Sequence, residues 1–220
     1  MKLKGMNRES NMVYTLIQCS LLDDVSWISP IINMVKIRNI LTTALLIISS
    51  SYVYGMPDVS RALSDIEFKT ESSSNTKLDV YEGKIILLFL GYTNCPDICP
   101  TTLLDISRTL KELGKDSDKV QAVFVSVDPE RDTPKHLNDY VKYFDKRIIG
   151  LSSDKTNIDK LHKYFRTTYE LLNASEENYL VEHSSNLYII DENMVVDRII
   201  ANGLPSSEIT KAVRKLINRI

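Results

Sequence analysis

The stretch "KIILLFLGYTNCPDICP", residues 84–100, decides how this chain is read. Its first half, Ile85 to Leu90, is an unbroken apolar run, the pattern of a strand buried on both faces. Its second half is a turn carrying Cys95 and Cys99, each followed by proline. Next, "TTLLDISRTLKELGK" (101–115) sets Leu103, Ile106, Leu110 and Leu113 at helical spacing and stops at Gly114. The two cysteines therefore occupy a strand-to-helix junction. Four positions apart on a helical turn, both sulfurs can face one point, and a helix N-terminus favours thiolate over thiol. Pro100 disfavours helical dihedrals at Cys99, so the helix is expected to begin at or after that residue. Spacing alone leaves a disulfide, a reactive thiol and a metal site open.

Working outward, "VQAVFVSVD" (120–128) is a second buried strand. "TPKHLNDYVKYF" (133–144) is a helix with Thr133 as its cap and Pro134 at its first position. "RIIGLSS" (147–153) is a short strand and "DKTNIDKLHKYFRTTYEL" (154–171) a helix. "YLVEHSSNLYIID" (179–191) and "MVVDRIIA" (194–201) are strands joined at the turn "DEN", and "SSEITKAVRKLINRI" closes the chain as a helix capped by Ser206 or Ser207. Upstream, "DIEFKT" alternates like a strand, "ESSSNTK" is a polar turn, and "KLDVYEGK" reads as a short strand ending at Gly83. Strands and helices alternate first and a hairpin comes late. The predicted fold class is α/β, a thioredoxin-like mixed sheet flanked by helices, in one domain over residues 56–220.

Net charge is -2, so no bulk basic field points to nucleic acid. Apolar content of 43% and charged content of 25% are those of a soluble globular domain rather than a disordered one. The N-terminus differs. From Met34, "MVKIRNILTTALLIISSSYVYG" runs from basic residues through an apolar stretch to small and polar ones. That is the layout of an export signal, and residues 34–55 are read as a cleaved signal peptide or a membrane anchor. Residues 1–33 read as an upstream extension, with translation expected to start at Met34. Removing them leaves Cys95 and Cys99 as the pair that meets an oxidising compartment.

Two thiolates seldom complete a metal site, so a third ligand is sought among three histidines. His136, beside Lys135, Asn138 and Asp139, reads as a solvated position, and His162, off the stripe of Ile158, Leu161 and Phe165, reads as another surface histidine. His183 lies where the chain enters a strand expected to pair in the central sheet. Two soft thiolates and one imidazole suit Cu(I), and with a weaker extra ligand Cu(II); zinc, which favours four ligands, would need a carboxylate or water.

"GYTNCPDICP", "VSVDPERDTP" (125–134) and "YLVEHSSNLYIID" together resemble the SCO/SenC family of copper chaperones, in the right order over nearly all of residues 62–220. The resemblance implies a thioredoxin-like domain facing the bacterial periplasm or the mitochondrial intermembrane space. It implies one copper ion held by Cys95, Cys99 and His183, with Cys95 and Cys99 also forming a redox disulfide. It implies metallation of the binuclear copper A site in cytochrome c oxidase subunit II, fed by a copper donor and a thiol reductant. Glu182 stands where many members carry Asp before the histidine. Asp128, at the end of its strand, is expected either to act on the site electrostatically, to serve docking, or to cap the turn before Pro129. The rival reading is an enzyme on the same fold, a thiol–disulfide oxidoreductase or peroxidase.

Overall fold

In the computed structural model, the described residues are 59–72, 74–172 and 179–219, all within one compact unit, Met56–Ile220. The expected extension at 1–33 and leader at 34–55 lie outside them. The chain opens with a short helix, α1 (Ser60–Asp65), and a two-stranded pair, β1 (Phe68–Lys69) with β2 (Asn75–Thr76). The apolar run becomes β3 (Ile85–Gly91), every residue of which is buried. It is followed by helix α2 (Ile98–Leu113), β4 (Val120–Ser126), α3 (Pro134–Phe144), β5 (Ile148–Leu151) and α4 (Lys155–Phe165). The chain ends with β6 (Tyr169–Leu172), β7 (Leu180–His183), β8 (Leu187–Ile190), β9 (Val196–Ile200) and α5 (Ser206–Ile217).

Five strands form the central sheet in the order β5-β4-β3-β8-β9, with β3, β4 and β5 parallel and β8 and β9 antiparallel. Successive strand side chains face opposite ways, so β3 serves two cores at once. Ile85, Leu87 and Phe89 pack with Leu103, Ile106 and Leu110 of α2, Leu137 of α3 and Val213 of α5. Ile86, Leu88 and Leu90 pack with Leu63 of α1 and with Ile158, Leu161 and Phe165 of α4. A mixed sheet between two helical layers is the predicted class, and it plants the N-terminus of α2 at the end of the central strand.

Some elements differ from the sequence reading. "KLDVYEGK" is a 3-10 turn over Leu78–Tyr81 rather than a strand, with only Leu78 buried. Helix α2 begins at Ile98, before Cys99, because Pro100 falls in the first turn, where a missing N–H breaks no helical bond. Helix α4 stops at Phe165: Arg166 turns left-handed (φ 52) and the Thr167 N–H bonds back to the His162 carbonyl. Tyr169 to Leu171, expected as the end of the helix, therefore belong to strand β6. "YLVEHSSNLYIID" is two strands in different sheets, since β7 pairs with β6 in a separate two-stranded ribbon and β8 joins the central sheet. The first residue before α5 is Pro205, and neither serine makes a side-chain cap. The Thr133 cap holds as expected, accepting the His136 N–H.

Candidate metal centre

Strand β3 hands the chain to a turn in which the Cys95 N–H bonds to the Tyr92 carbonyl, and α2 starts three residues later. Cys99, on the second position of the helix, points back into the core and is fully buried, whereas Cys95 is half-buried at the mouth. Close approach of α2 to β3 depends on Gly91. A Cβ there would lie 2.7 Å from the Cys99 Sγ and 2.7 Å from a ring carbon of Phe124. Both cysteines are free thiols, unbridged.

His183, the last residue of β7, completes the group. The donor atoms of Cys95, Cys99 and His183 all lie within 4.8 Å of one another, and the His183 Nε2 is 3.7 Å from the Cys99 Sγ. The His183 Nδ1 lies 3.1 Å from the Ser184 carbonyl, which can only accept, so the neutral ring carries its proton on Nδ1. Its Nε2 lone pair is then turned toward the sulfurs. A hydrogen bond from the Cys99 thiol, with the backbone N–H groups of Cys99 and Asp97, lowers the Cys95 pKa to about 3. The same Cys95–Cys99 bond, together with burial, pushes the Cys99 thiol up. The resting pair is thus one thiolate and one thiol. A soft cation arriving here meets a ready anion and an imidazole lone pair, and displaces the Cys99 proton. The spacing of the three donors is one that a single ion bonded at about 2.0–2.3 Å to each can bridge after a small inward adjustment.

Of the other predicted positions, Asp128 is buried and accepts hydrogen bonds from the Tyr179 hydroxyl at 2.6 Å and from the Arg131 Nε, while the Asp132 N–H bonds to its backbone carbonyl. His136 is exposed, as expected. His162 is not on the surface: it is 5% exposed, stacked on Tyr169 at 4.4 Å, with Nδ1 2.6 Å from the Thr167 Oγ1. The turn after α4, unseen in the sequence, folds Thr167 and β6 over it.

The model of the SCO1/SenC family matches residues 59–218. The chain belongs to the SCO1/SenC family. Among curated relatives, an "SCO2-like protein" of Rickettsia felis is 34% identical over 131 residues, covering 59% of this chain and 64% of the relative. "Protein SCO1 homolog 2, mitochondrial" of Arabidopsis thaliana is 34% identical over 147 residues, covering 66% and 53%. The aligned part thus spans less than two thirds of these relatives' length. Among solved structures, copper-bound ScoI of Arabidopsis thaliana is 29% identical with a TM-score of 0.65, covering 70% of this chain and 97% of that one. Copper-bound ScoI of Bradyrhizobium japonicum is 32% identical with a TM-score of 0.63, covering 69% and 96%. The SCO1/SenC domain here has the thioredoxin-like fold predicted for it.

Sequence reading missed several residues around the donors of this SCO1/SenC chain. The Tyr92 ring meets His183 edge-on at 5.7 Å, and its hydroxyl accepts the Val181 N–H. The buried Asp132 carboxylate accepts the Thr93 N–H and both the Thr93 and Ser126 hydroxyls. A lone glycine inside an apolar strand was the available signal for the close approach at Gly91.

Proposed function

We propose that this protein is a copper-binding metallochaperone that carries one copper ion on Cys95, Cys99 and His183 to the binuclear copper A site of cytochrome c oxidase subunit II. The observation that supports it most directly is the convergence of two sulfurs and one imidazole nitrogen within 4.8 Å. That donor set is soft enough for Cu(I) and, through the imidazole, adequate for Cu(II). The copper-bound ScoI relatives agree with the choice of ion. Copper is the cargo here rather than a resident cofactor: half-burial of Cys95 and His183 leaves one side of the site open for transfer.

The cysteine pair also suits thiol–disulfide exchange, with Cys95 as the ready nucleophile and Cys99 as its resolving partner. We read this as auxiliary to copper delivery: the pair reduces a disulfide of the target's cysteines before metallation, is itself left as the Cys95–Cys99 disulfide, and is restored by a thiol reductant. Oxidation to a Cys95–Cys99 disulfide removes both thiolates and so releases the ion. We further propose that residues 34–55 export the domain, as a cleaved signal or a retained anchor, to face the periplasm or intermembrane space. Mitochondrial relatives agree with export. Among the described residues, no helix is long and apolar enough to cross a membrane.

His183→Ala separates delivery from simple exchange. An oxidoreductase needs only the two thiols, so the variant would keep its redox activity and full function. A three-donor copper site loses a third of its ligands, and even changes behind the ligands cost about 10–100-fold in affinity, so Cu(II) binding should fall by at least that. The expected result is a folded protein with a redox-active Cys95–Cys99 pair, weak Cu(II) binding and failed oxidase assembly. His136→Ala, at an exposed histidine, should leave copper binding unchanged. Unchanged copper affinity in His183→Ala, with full rescue of oxidase activity, would overturn the copper reading.

A further inference from the structure

The cysteine half of the donor set sits in the turn and helix that follow β3, the histidine half ends the separate ribbon, and one loop touches both. That loop, residues 127–133, runs between β4 and α3. Asp132 holds the cysteine half: its buried carboxylate accepts the Thr93 N–H at 3.1 Å, two residues before Cys95, and the Thr93 hydroxyl. The adjacent residue, Arg131, holds the histidine half. Its Nη1 donates to the Tyr179 carbonyl at 2.8 Å, immediately ahead of β7, and its Nε donates to Asp128. Its guanidinium carbon lies 3.6 Å from the centre of the Tyr179 ring and 5.7 Å from the centre of the Tyr92 ring. Tyr92 in turn accepts the Val181 N–H and sets its ring edge-on to His183.

We propose that Arg131 is the positioning residue that sets His183 against the dithiol, with Asp132 as its counterpart on the cysteine side. The proposal rests on the copper reading above. A planar fork is required for this role, because one guanidinium must meet a carbonyl, a carboxylate and two ring faces at fixed angles. A lysine ammonium supplies a point charge on a flexible stem and cannot do so. Loosening Arg131 frees the segment that ends in His183 and leaves the sulfurs where α2 and Asp132 hold them. The consequence is selective. Cu(I), satisfied by two thiolates, keeps its affinity, while Cu(II), which depends on the imidazole, does not.

The test compares Arg131→Met with wild type in the exported domain titrated with each copper ion. Cu(II) affinity should fall about 10–100-fold and the sulfur-to-Cu(II) charge-transfer absorption should weaken, with Cu(I) affinity changing by less than about threefold. Arg131→Lys should fail to restore Cu(II) binding. In the metal-free protein, amide exchange should quicken at Val181 and Ser184 and stay unchanged at Thr93, whereas Asp132→Asn should quicken Thr93. If Arg131→Met does not fold, Tyr179→Leu, which removes the stacked ring and keeps the carbonyl, should give the same split between the ions. Equal loss of both ions, or an unchanged Cu(II) spectrum, overturns the proposal. Wild-type protein that binds no copper would instead overturn the copper reading, and the exchange pattern would still decide whether Arg131 holds the β7 segment.

Discussion

The cysteine half and the histidine half of the site are built in opposite ways. Cys99, in the first turn of α2, is sealed against the central sheet, where every residue of β3 is buried. His183 ends a two-stranded ribbon in which most side chains are exposed: Glu170, Leu171 and Leu172 of β6, and Leu180 and Glu182 of β7. One half is held by apolar burial, which is non-directional and large in sum. The other is held by one buried side chain, Val181, and by a few polar and ring contacts, from Tyr92, Arg131 and Thr168. The lesson is that damage to the first half should cost the fold, while damage to the second should cost ligand geometry.

The largest effect should come from filling the contact under Cys99. Gly91→Val places methyls where a Cβ alone would already sit 2.7 Å from the Cys99 Sγ and from Phe124. Neither neighbour has free space, because both are fully buried. Overpacking of this kind costs about 1–3 kcal/mol, and a β-branched side chain with two rigid neighbours belongs at the upper end. Urea unfolding should show the loss, and both copper ions should bind more weakly because the displaced atom is one of the proposed donor sulfurs. A Gly91→Val protein with wild-type stability would break the idea that the cysteine half is welded to the core.

Next in size is the support of the ribbon from α4. His162 stacks on Tyr169 of β6, and its Nε2 has no hydrogen-bond partner among the described residues. Burial lowers its pKa from 6.5 to about 4. In the unfolded chain the ring binds a proton more readily, so stability from this residue is complete above about pH 6.5 and is lost as pH falls toward 4. At about 1.4 kcal/mol per unit, the loss is at most about 3.5 kcal/mol. His162→Phe keeps the stack and should flatten stability between pH 6.5 and 4, measured by unfolding at each pH. A variant with the wild-type slope would show that the proton goes elsewhere.

The same contrast explains what the sequence disclosed. The core half was legible because a continuous apolar run, a Cys-x-x-x-Cys turn and a helical stripe are local patterns, and β3, β4, α2 and α3 follow from them. Its place in the sequence singled out His183 but left its role open, and the three-motif resemblance is what made it a ligand. The ribbon was not legible. "TTYEL" continues a helical stretch in composition, and only the left-handed Arg166 ends it. "EHSSN" contains no glycine or proline to show that one apparent strand is two. His162 looked solvated because the residues that cover it come from the turn and strand after α4. Arg131 lay in plain sight in "DPERDTP", but its role depends on Tyr179 and Tyr92, and long-range ring contacts leave no periodic trace.

The smallest effect tests whether the ribbon is a separate unit. Glu170 and Glu182 are direct cross-strand partners, both exposed, so two like charges face each other beside His183. Such pairs are destabilising, and an opposite-charge pair in the same place contributes about 0.2–1 kcal/mol. Glu170→Lys should therefore slow amide exchange across β6 and β7 by about 1.4- to 5-fold, an effect that shrinks as salt screens the pair. The midpoint of global unfolding should barely move, because a ribbon outside the central sheet opens before the core does. Exchange slowed equally at high salt would mean that the gain is not electrostatic. A global midpoint rising in step with ribbon protection would mean that the ribbon and the core unfold together, and the division of the site into a fixed half and a mobile half would fail.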